Sequence, residues 1–421
     1  MSRWLAAAVA ACLVGVAACS VATPTATPTA TLDRSPLSAT TVPTPSQTAA
    51  TTISPEPSSS DTLNSGRIGL GTEITAERLD PEFSDTVQEF VSDGVSLLLT
   101  SRMADDVGPD GVPDLWRFTP GQKSPELLWR NPERNHTIVK VVGDVGEIGF
   151  VDMPVTGERA WNLWFLPRHA DEPILLDQHP GDEDVPSAVP SFVVQEGTIV
   201  WTAFDRGPAG PVSQLLIAQA PGWEPRVVRE LPSSDAEFWF PSLLGPELVY
   251  VEAHYSADRT SDERRLFLAS LMALDQEPRR LDSSGRATMP LVTQSGTLWK
   301  EADPGFSMFN WGRMYRYDHE TGSVSTLDTS PQEYVNYPSA GGRFVAWEGE
   351  NFTRFGVYDL VRDEARMIER HPQDGDVWIL RPHIHGDLIV WLHINPSISG
   401  SMGEIRYATL PHAAADRPGA P

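Results

Sequence analysis

A ten-residue phrase recurs along the chain at nearly constant spacing, and this period restricts the fold more than any other feature. Aligned on its proline, the phrase reads Pro241–Tyr250, Pro290–Trp299, Pro338–Trp347 and Pro382–Trp391, with an aromatic nine residues after each proline. A looser copy with two extra residues runs Pro190–Trp201, and two degenerate ones centre on Gly143–Phe150 and Ser92–Leu99. Together these make seven copies, spaced at about 50 residues.

Each copy continues in the same order. After the apolar run comes a polar loop, then a short alternating segment beginning at Leu115, Leu163, Leu215, Leu266, Met314, Val357 or Ile405. A turn follows, and then a second short segment beginning at Pro125, Pro173, Pro225, Pro278, Val324 or Ala365. Periodicity near two, with Gly, Pro, Asn and Asp as punctuation, marks strands rather than helices. Four strands in each unit of 40 to 50 residues describe a propeller blade. A row of β-sandwich domains would need about 100 residues per unit. The chain is therefore expected to be all-β, a seven-bladed β-propeller, with six or eight blades also compatible with the spacing. The seventh copy lacks a fourth strand; Arg67–Ile74, ahead of the first copy, can supply it and so close the ring.

Residues 1–18 read as an export signal, with Arg3 followed by an apolar run from Leu5 to Val16. That run is too short for a membrane-spanning helix. Val16-Ala-Ala-Cys19 resembles the lipobox of bacterial lipoproteins, which implies cleavage before Cys19 and a lipid on its thiol. Cys12 is the only other cysteine and leaves with the signal, so the exported domain holds no disulfide and no thiol nucleophile. Residues 19–66 are rich in Thr, Pro, Ser and Ala and cannot bury a core, so they read as a flexible stalk. Its alanine- and threonine-rich style resembles lipoproteins of high-GC Gram-positive bacteria. The propeller is assigned to 67–412 and a polar tail to 413–421. Location on the outer face of the cell membrane follows, with the lipid anchor as the membrane partner. The formal charge of −25 falls almost wholly on the propeller, which repels nucleic acid and excludes it as a partner.

The proline frame, the glycine-containing turn, the apolar strand ending in an aromatic and alternating segments such as Met314-Tyr-Arg-Tyr resemble the TolB-like propellers of bacterial envelope proteins. The turns depart from that pattern: Gln195-Glu-Gly, Gln294-Ser-Gly and Ala340-Gly-Gly stand where those repeats read Ser-Pro-Asp-Gly. The resemblance implies fold, compartment and a leaning towards binding, and carries over no catalytic residue.

Three constellations carry candidate chemistry. Asp106, Asp110 and Asp114 fall at positions 1, 5 and 9 of a loop with Gly111 at position 6, which resembles the calcium loops of integrin-type propellers. Calcium needs six to eight oxygens, and the Val112 carbonyl can add one; an acidic Pro-Asp-Gly turn is the alternative. Approaching the innermost strands, an acid precedes an aromatic or apolar group in Asp184-Val, Glu237-Phe-Trp239-Phe240, Glu333-Tyr-Val-Asn-Tyr337 and Asp376-Val-Trp378. Such a mouth would take a sugar, a cationic metabolite or a basic peptide, unless the aromatics are core. His383-Ile-His385 places two imidazoles on one strand face, read as satisfied core or channel histidines rather than zinc ligands, with His393 placed in a loop beyond the next strand.

No Gly-x-Ser-x-Gly elbow, phosphate loop or His-Glu-x-x-His is present. The composite expectation is a surface-anchored binding or scaffolding module whose partner is an envelope protein or small ligand. Its long second-to-third-strand loops, Glu252–Arg264 and Glu301–Gly312, would carry the contacts, with Phe306, Phe309 and Trp311 as anchors. The alternatives are an envelope hydrolase or lyase at the channel mouth, or a solute-binding sensor. The calcium loop has a direct test: calcium should raise the melting temperature of the isolated propeller, EDTA should reverse this, and Asp110→Ala should abolish the shift.

Overall fold

The computed structural model describes residues 76–79, 87–101, 113–132, 135–156, 159–181, 184–257, 262–302, 311–329, 334–349, 352, 354–369, 378–394 and 403–410. These residues form seven four-stranded antiparallel sheets, one for each copy of the repeat. In blade one the strands are Val87–Ser92, Leu97–Ser101, Asp114–Phe118 and Glu126–Trp129, and blades two to six repeat this inner-to-outer meander. Blade seven takes Trp378–His385, Leu388–Ile394 and Glu404–Thr409 from the end of the chain, and its outermost strand, Glu77–Arg78, from before blade one. Arg67–Ile74 lies outside the described residues; the closing strand is the segment just after it. The Leu79 N–H donates to the Ile405 carbonyl at 3.0 Å. The Tyr407 hydroxyl donates to Glu77 Oε2 at 2.7 Å, which fastens the two ends of the ring together.

The second strand of each blade is sandwiched between two neighbouring blades, which is why it reads as an unbroken apolar run such as Leu248-Val-Tyr-Val251 instead of an alternating one. Successive side chains on it point to opposite faces. The core accordingly divides into seven clusters, each spanning one interface between blades. The repeat aromatic always faces the preceding blade: Phe150 packs with blade one, Trp201 with blade two, Tyr250 with blade three, Trp299 with blade four, Trp347 with blade five and Trp391 with blade six. Leu99 does the same work against blade seven, closing the circle.

The repeat proline lies within the innermost strand, which extends several residues ahead of it in blades four to seven. Opposite it the ladder slips by one residue, between Trp239 and Ser242, Thr288 and Leu291, Asn336 and Ser339, and Leu380 and His383. An inner edge strand with a bulge is where a residue without an N–H is tolerated. Just past the proline, a side chain reaches the next blade. Ser242 Oγ accepts the Val292 N–H at 3.0 Å, Ser339 Oγ the Ile384 N–H at 3.0 Å, and His383 Nδ1 the Ser92 N–H at 3.1 Å.

Two readings of loops are corrected. Glu252–Arg264 is mostly strand, since the second strand runs to Tyr255 and the third begins at Asp262, paired with it. His393 lies in the second strand of blade seven, opposite Ile379, because that strand continues past its aromatic.

Gly356 faces Trp347 across the ladder, and a methyl there would stand 2.0 Å from the indole ring. Gly356→Ala should therefore cost about 1–3 kcal/mol in chemical denaturation. Gly222→Ala, with no atom within 4 Å of the added carbon, should change stability by less than about 0.5 kcal/mol.

Candidate functional site

The innermost strands border the central channel, so irregularities there bear on function. At the bulge of blades four to seven, the residue before the repeat proline is Phe240, Met289, Tyr337 and Arg381, with φ of 48°, 48°, 40° and 52°. None is glycine, and a left-handed backbone at such side chains costs on the order of 1–3 kcal/mol each. Proline adds a second restriction on the residue before it. All four side chains are half-buried. Four consecutive blades thus hold a strained, partly exposed side chain at one position, a ring of two aromatics, a thioether and a guanidinium.

Two backbone bonds hold the ring. The Arg381 N–H donates to Glu348 Oε1 at 2.9 Å, and the Tyr337 N–H donates to Asn336 Oδ1 at 3.1 Å. Arg381 also forms an ion pair with Glu89 of blade one and lies 5.3 Å above the Phe90 ring.

Behind the ring sits a buried charged layer. The residue after the repeat aromatic packs between blades as Val151, Val251 and Leu392 in blades two, four and seven. In blades five and six that position is Lys300 and Glu348, 0% and 2% exposed. Their cross-strand partners are polar too: Thr288 opposite Lys300 and Asn336 opposite Glu348. Asn336 Nδ2 donates to Glu348 Oε2 at 2.9 Å, whereas the buried Thr288 hydroxyl has no hydrogen-bond partner.

Burial lowers the Lys300 ammonium to about 7, helped by the Arg264 charge and opposed by Glu348. Burial likewise pushes the Glu348 carboxyl up, against its bonds from Arg381 and Asn336. Lys140, with Nζ donating to the Pro190 carbonyl at 3.2 Å, is lowered to about 8 by burial despite Glu89. The chain has only three lysines, Lys123, Lys140 and Lys300, and two of them are perturbed in this way.

Of the residues singled out from sequence, Tyr337 belongs to the ring. Glu237 is buried and accepts the Trp239 indole N–H at 3.3 Å, while the Arg264 guanidinium lies 5.6 Å from the Trp239 ring. Trp378 is half-buried against Phe352, ring centres 6.3 Å apart, and Trp311 is half-buried ahead of the third strand of blade five. Asp114 starts a strand and accepts the Asn131 N–H at 3.0 Å. Cys19, Asp106, Asp110, Val112, Phe309, Glu333 and Asp376 lie outside the described residues. His385 Nε2 is 2.8 Å from Asp144 Oδ1 while His383 serves blade one, so the two imidazoles are partnered separately. Burial, with His385 and Arg381 nearby, lowers His383 to about 3. Among the described residues no group of three or more His, Cys, Asp or Glu side chains is placed to hold a metal ion.

Phe240 closes the Glu237–Phe240 stretch read from sequence, whereas sequence reasoning missed Met289, Arg381, Lys300 and Glu348. The signal for the last two was present: aligning the repeats puts a charge where the other copies carry Thr, Val or Leu.

Neither a protein-family model nor a curated protein sequence matches this chain. Solved structures do. An oligogalacturonate lyase from Vibrio parahaemolyticus superposes with a TM-score of 0.53 at 14% identity, covering 83% of this chain and 96% of that one. An oligogalacturonate lyase in complex with manganese gives 0.50 at 14% identity, covering 81% and 91%. The β-propeller domain of the Trilobed protease from Pyrococcus furiosus gives 0.52 at 12% identity, covering 80% and 98%. That domain has an open velcro topology, whereas here Glu77–Arg78 pairs with the last blade. At these identities the likeness establishes the propeller fold.

The charged layer predicts a pH profile. Lys300 titrates near 10.5 in the unfolded chain and near 7 when folded, so between these values the unfolded chain holds the extra proton. Stability contributed by this group therefore rises from pH 7 towards 10.5. Lys300→Met should remove that part of the rise and leave the protein equally stable or more stable by about 1–4 kcal/mol at pH 7, read by urea denaturation.

Proposed function

We propose that the chain is an exported propeller, anchored through lipid on Cys19 to the outer face of the bacterial cell membrane, where it acts as a binding module. An envelope protein or a small ligand would seat on the ring of Phe240, Met289, Tyr337 and Arg381. The observation that carries this reading is the shared left-handed backbone of those four residues. Strain of this kind persists where function rewards it. The TolB-like frame supports the same role, and the stalk composition supports display away from the bilayer. The chain's acidity argues against nucleic acid. Calcium at Asp106, Asp110, Val112 and Asp114 would serve as a bridge to the partner.

A second reading, an envelope lyase or hydrolase, draws on Lys300 and Glu348. An amine lowered to about 7 beside a carboxyl pushed up is suited to trade protons with a substrate. Lys300 has no solvent contact and Glu348 almost none, which favours the binding role. Oligogalacturonate, the compound named for the lyases, is the first substrate to try; turnover lost in both Lys300→Met and Glu348→Gln would establish catalysis.

A photo-crosslinking residue placed at Tyr337 tests the binding role in cells that display the protein. It should give a discrete adduct that disappears when Phe240→Ala and Met289→Ala are added. The same residue at Met272, 85% exposed on an outer turn, should give none. Equal adducts at both positions would show that the ring is not the contact surface.

A further inference from the structure

We infer that blade two carries, over its Asp144–Glu147 turn, a binding site for a phosphate group. The site lies apart from the ring and does not depend on the ring being a contact surface. This turn ends the inner strand of blade two, past the bulge between Ile138 and Lys140.

Two guanidinium groups meet over the turn. A carbon added to Gly146 would stand 3.7 Å from Arg168 Cγ, 3.8 Å from Arg168 Nε and 4.0 Å from Arg117 Nη2. Arg168 follows the third strand of blade two, Trp161–Leu166, and is exposed. Arg117 stands opposite Leu98 in blade one, and Leu98 packs on Ile148, Phe150 and Leu166 of blade two. Side chains directly opposite in a ladder share a face, so Arg117 points to blade two as well. One cation thus comes from each side of the blade interface, and Gly146 puts no side chain between them.

Arg117 is the exception among the half-buried arginines. Arg265 pairs with Glu263 at 2.6 Å, Arg343 with Asp359 at 2.6 Å and Arg406 with Glu404 at 3.3 Å. Arg117 has no carboxylate partner among the described residues, and its Nε, shut off from solvent, has no hydrogen-bond partner. In a chain of formal charge −25, a half-buried cation outside every ion pair is costly unless a ligand completes it. The acids nearby leave the place open. Asp144 accepts the Glu196 N–H at 3.0 Å and lies 2.8 Å from His385 Nε2, and Glu147 accepts the Gly197 N–H at 2.7 Å. Glu126, opposite Arg117, and Asp171 and Glu172, beyond Arg168, are exposed to water.

Guanidinium forks bind oxyanions bidentately, and two of them match the nearly double charge of a phosphate better than the single charge of a carboxylate. The floor of the site is fixed in advance. The Val145 N–H donates to the Asp93 carbonyl of blade one at 2.8 Å, and Val145 and Gly146 hold φ of 41° and 91°. A soluble phosphate ester and a lipid headgroup present the same group, and the test separates them.

Inorganic phosphate is titrated calorimetrically into the full exported protein at pH 8 and constant ionic strength. It should occupy one site, and Arg168→Gln and Arg117→Gln should each weaken binding about tenfold or more. Arg286→Gln, at an exposed position of blade five, should leave it unchanged. Because Arg168 is exposed, Arg168→Gln keeps the fold whatever Arg117→Gln does. Unchanged binding in Arg168→Gln, or no binding at about 10 mM phosphate, would overturn the inference. Phosphatidylcholine vesicles with and without phosphatidylglycerol, offered to protein freed of its proposed anchor by Cys19→Ser, then identify the source. Capture by the anionic vesicles alone, competed by phosphate and lost in Arg168→Gln, supports a headgroup site; phosphate binding without capture supports a soluble phosphate.

Discussion

The ring stands on one contact made seven times, the packing of a large side chain from each second strand against the blade before it. No disulfide can hold this domain, since the chain's two cysteines fall at positions 12 and 19, ahead of every blade. Seven interfaces of buried Trp, Tyr, Phe and Leu take that role instead. Because each blade uses both faces, loss of one interface weakens two blades at once. The period of the sequence is the trace of this requirement.

That is also why the fold was legible. An aromatic nine residues after proline, then an alternating segment, then a turn, encodes backbone register and burial together, and both are local to the repeat. Arg67–Ile74, expected as the closing strand, lies outside the described residues; the described clasp is Glu77–Arg78, whose place depends on pairing with Glu404–Thr409 and not on any pattern within the segment. His393 was misplaced for a related reason: the second strand continues past Trp391, and strand ends are set by the neighbouring strand.

The site was less legible. Proline marked the bulge, but the residue before it is Phe, Met, Tyr or Arg in turn, and bulky residues give no hint of a left-handed backbone. Only Phe240 and Tyr337 stood in the stretches read from sequence, and for their place near an acid. Glu237 and Trp239 were read as a mouth; each is occupied within the wall, by the other and by Arg264. Lys300 and Glu348 were visible as the two charged copies of a position that is otherwise Thr100, Val151, Thr202, Val251 and Leu392. A buried charge costs stability where neutral Thr, Val or Leu serves in the other copies.

The closing strand has a mechanical side. Glu77 and Arg78 are the only residues of their strand, and the chain that leads to them comes from Cys19. Any tension on that leading segment reaches the propeller at the outer rim of blade seven, through two residue pairs, the Leu79 amide, the Glu77–Tyr407 bond and the Arg78–Glu404 ion pair at 3.1 Å. The inner strands and their ring lie at the opposite edge of the same sheet, three strands away. A pull on that segment would therefore load the clasp before it disturbs the inner strands.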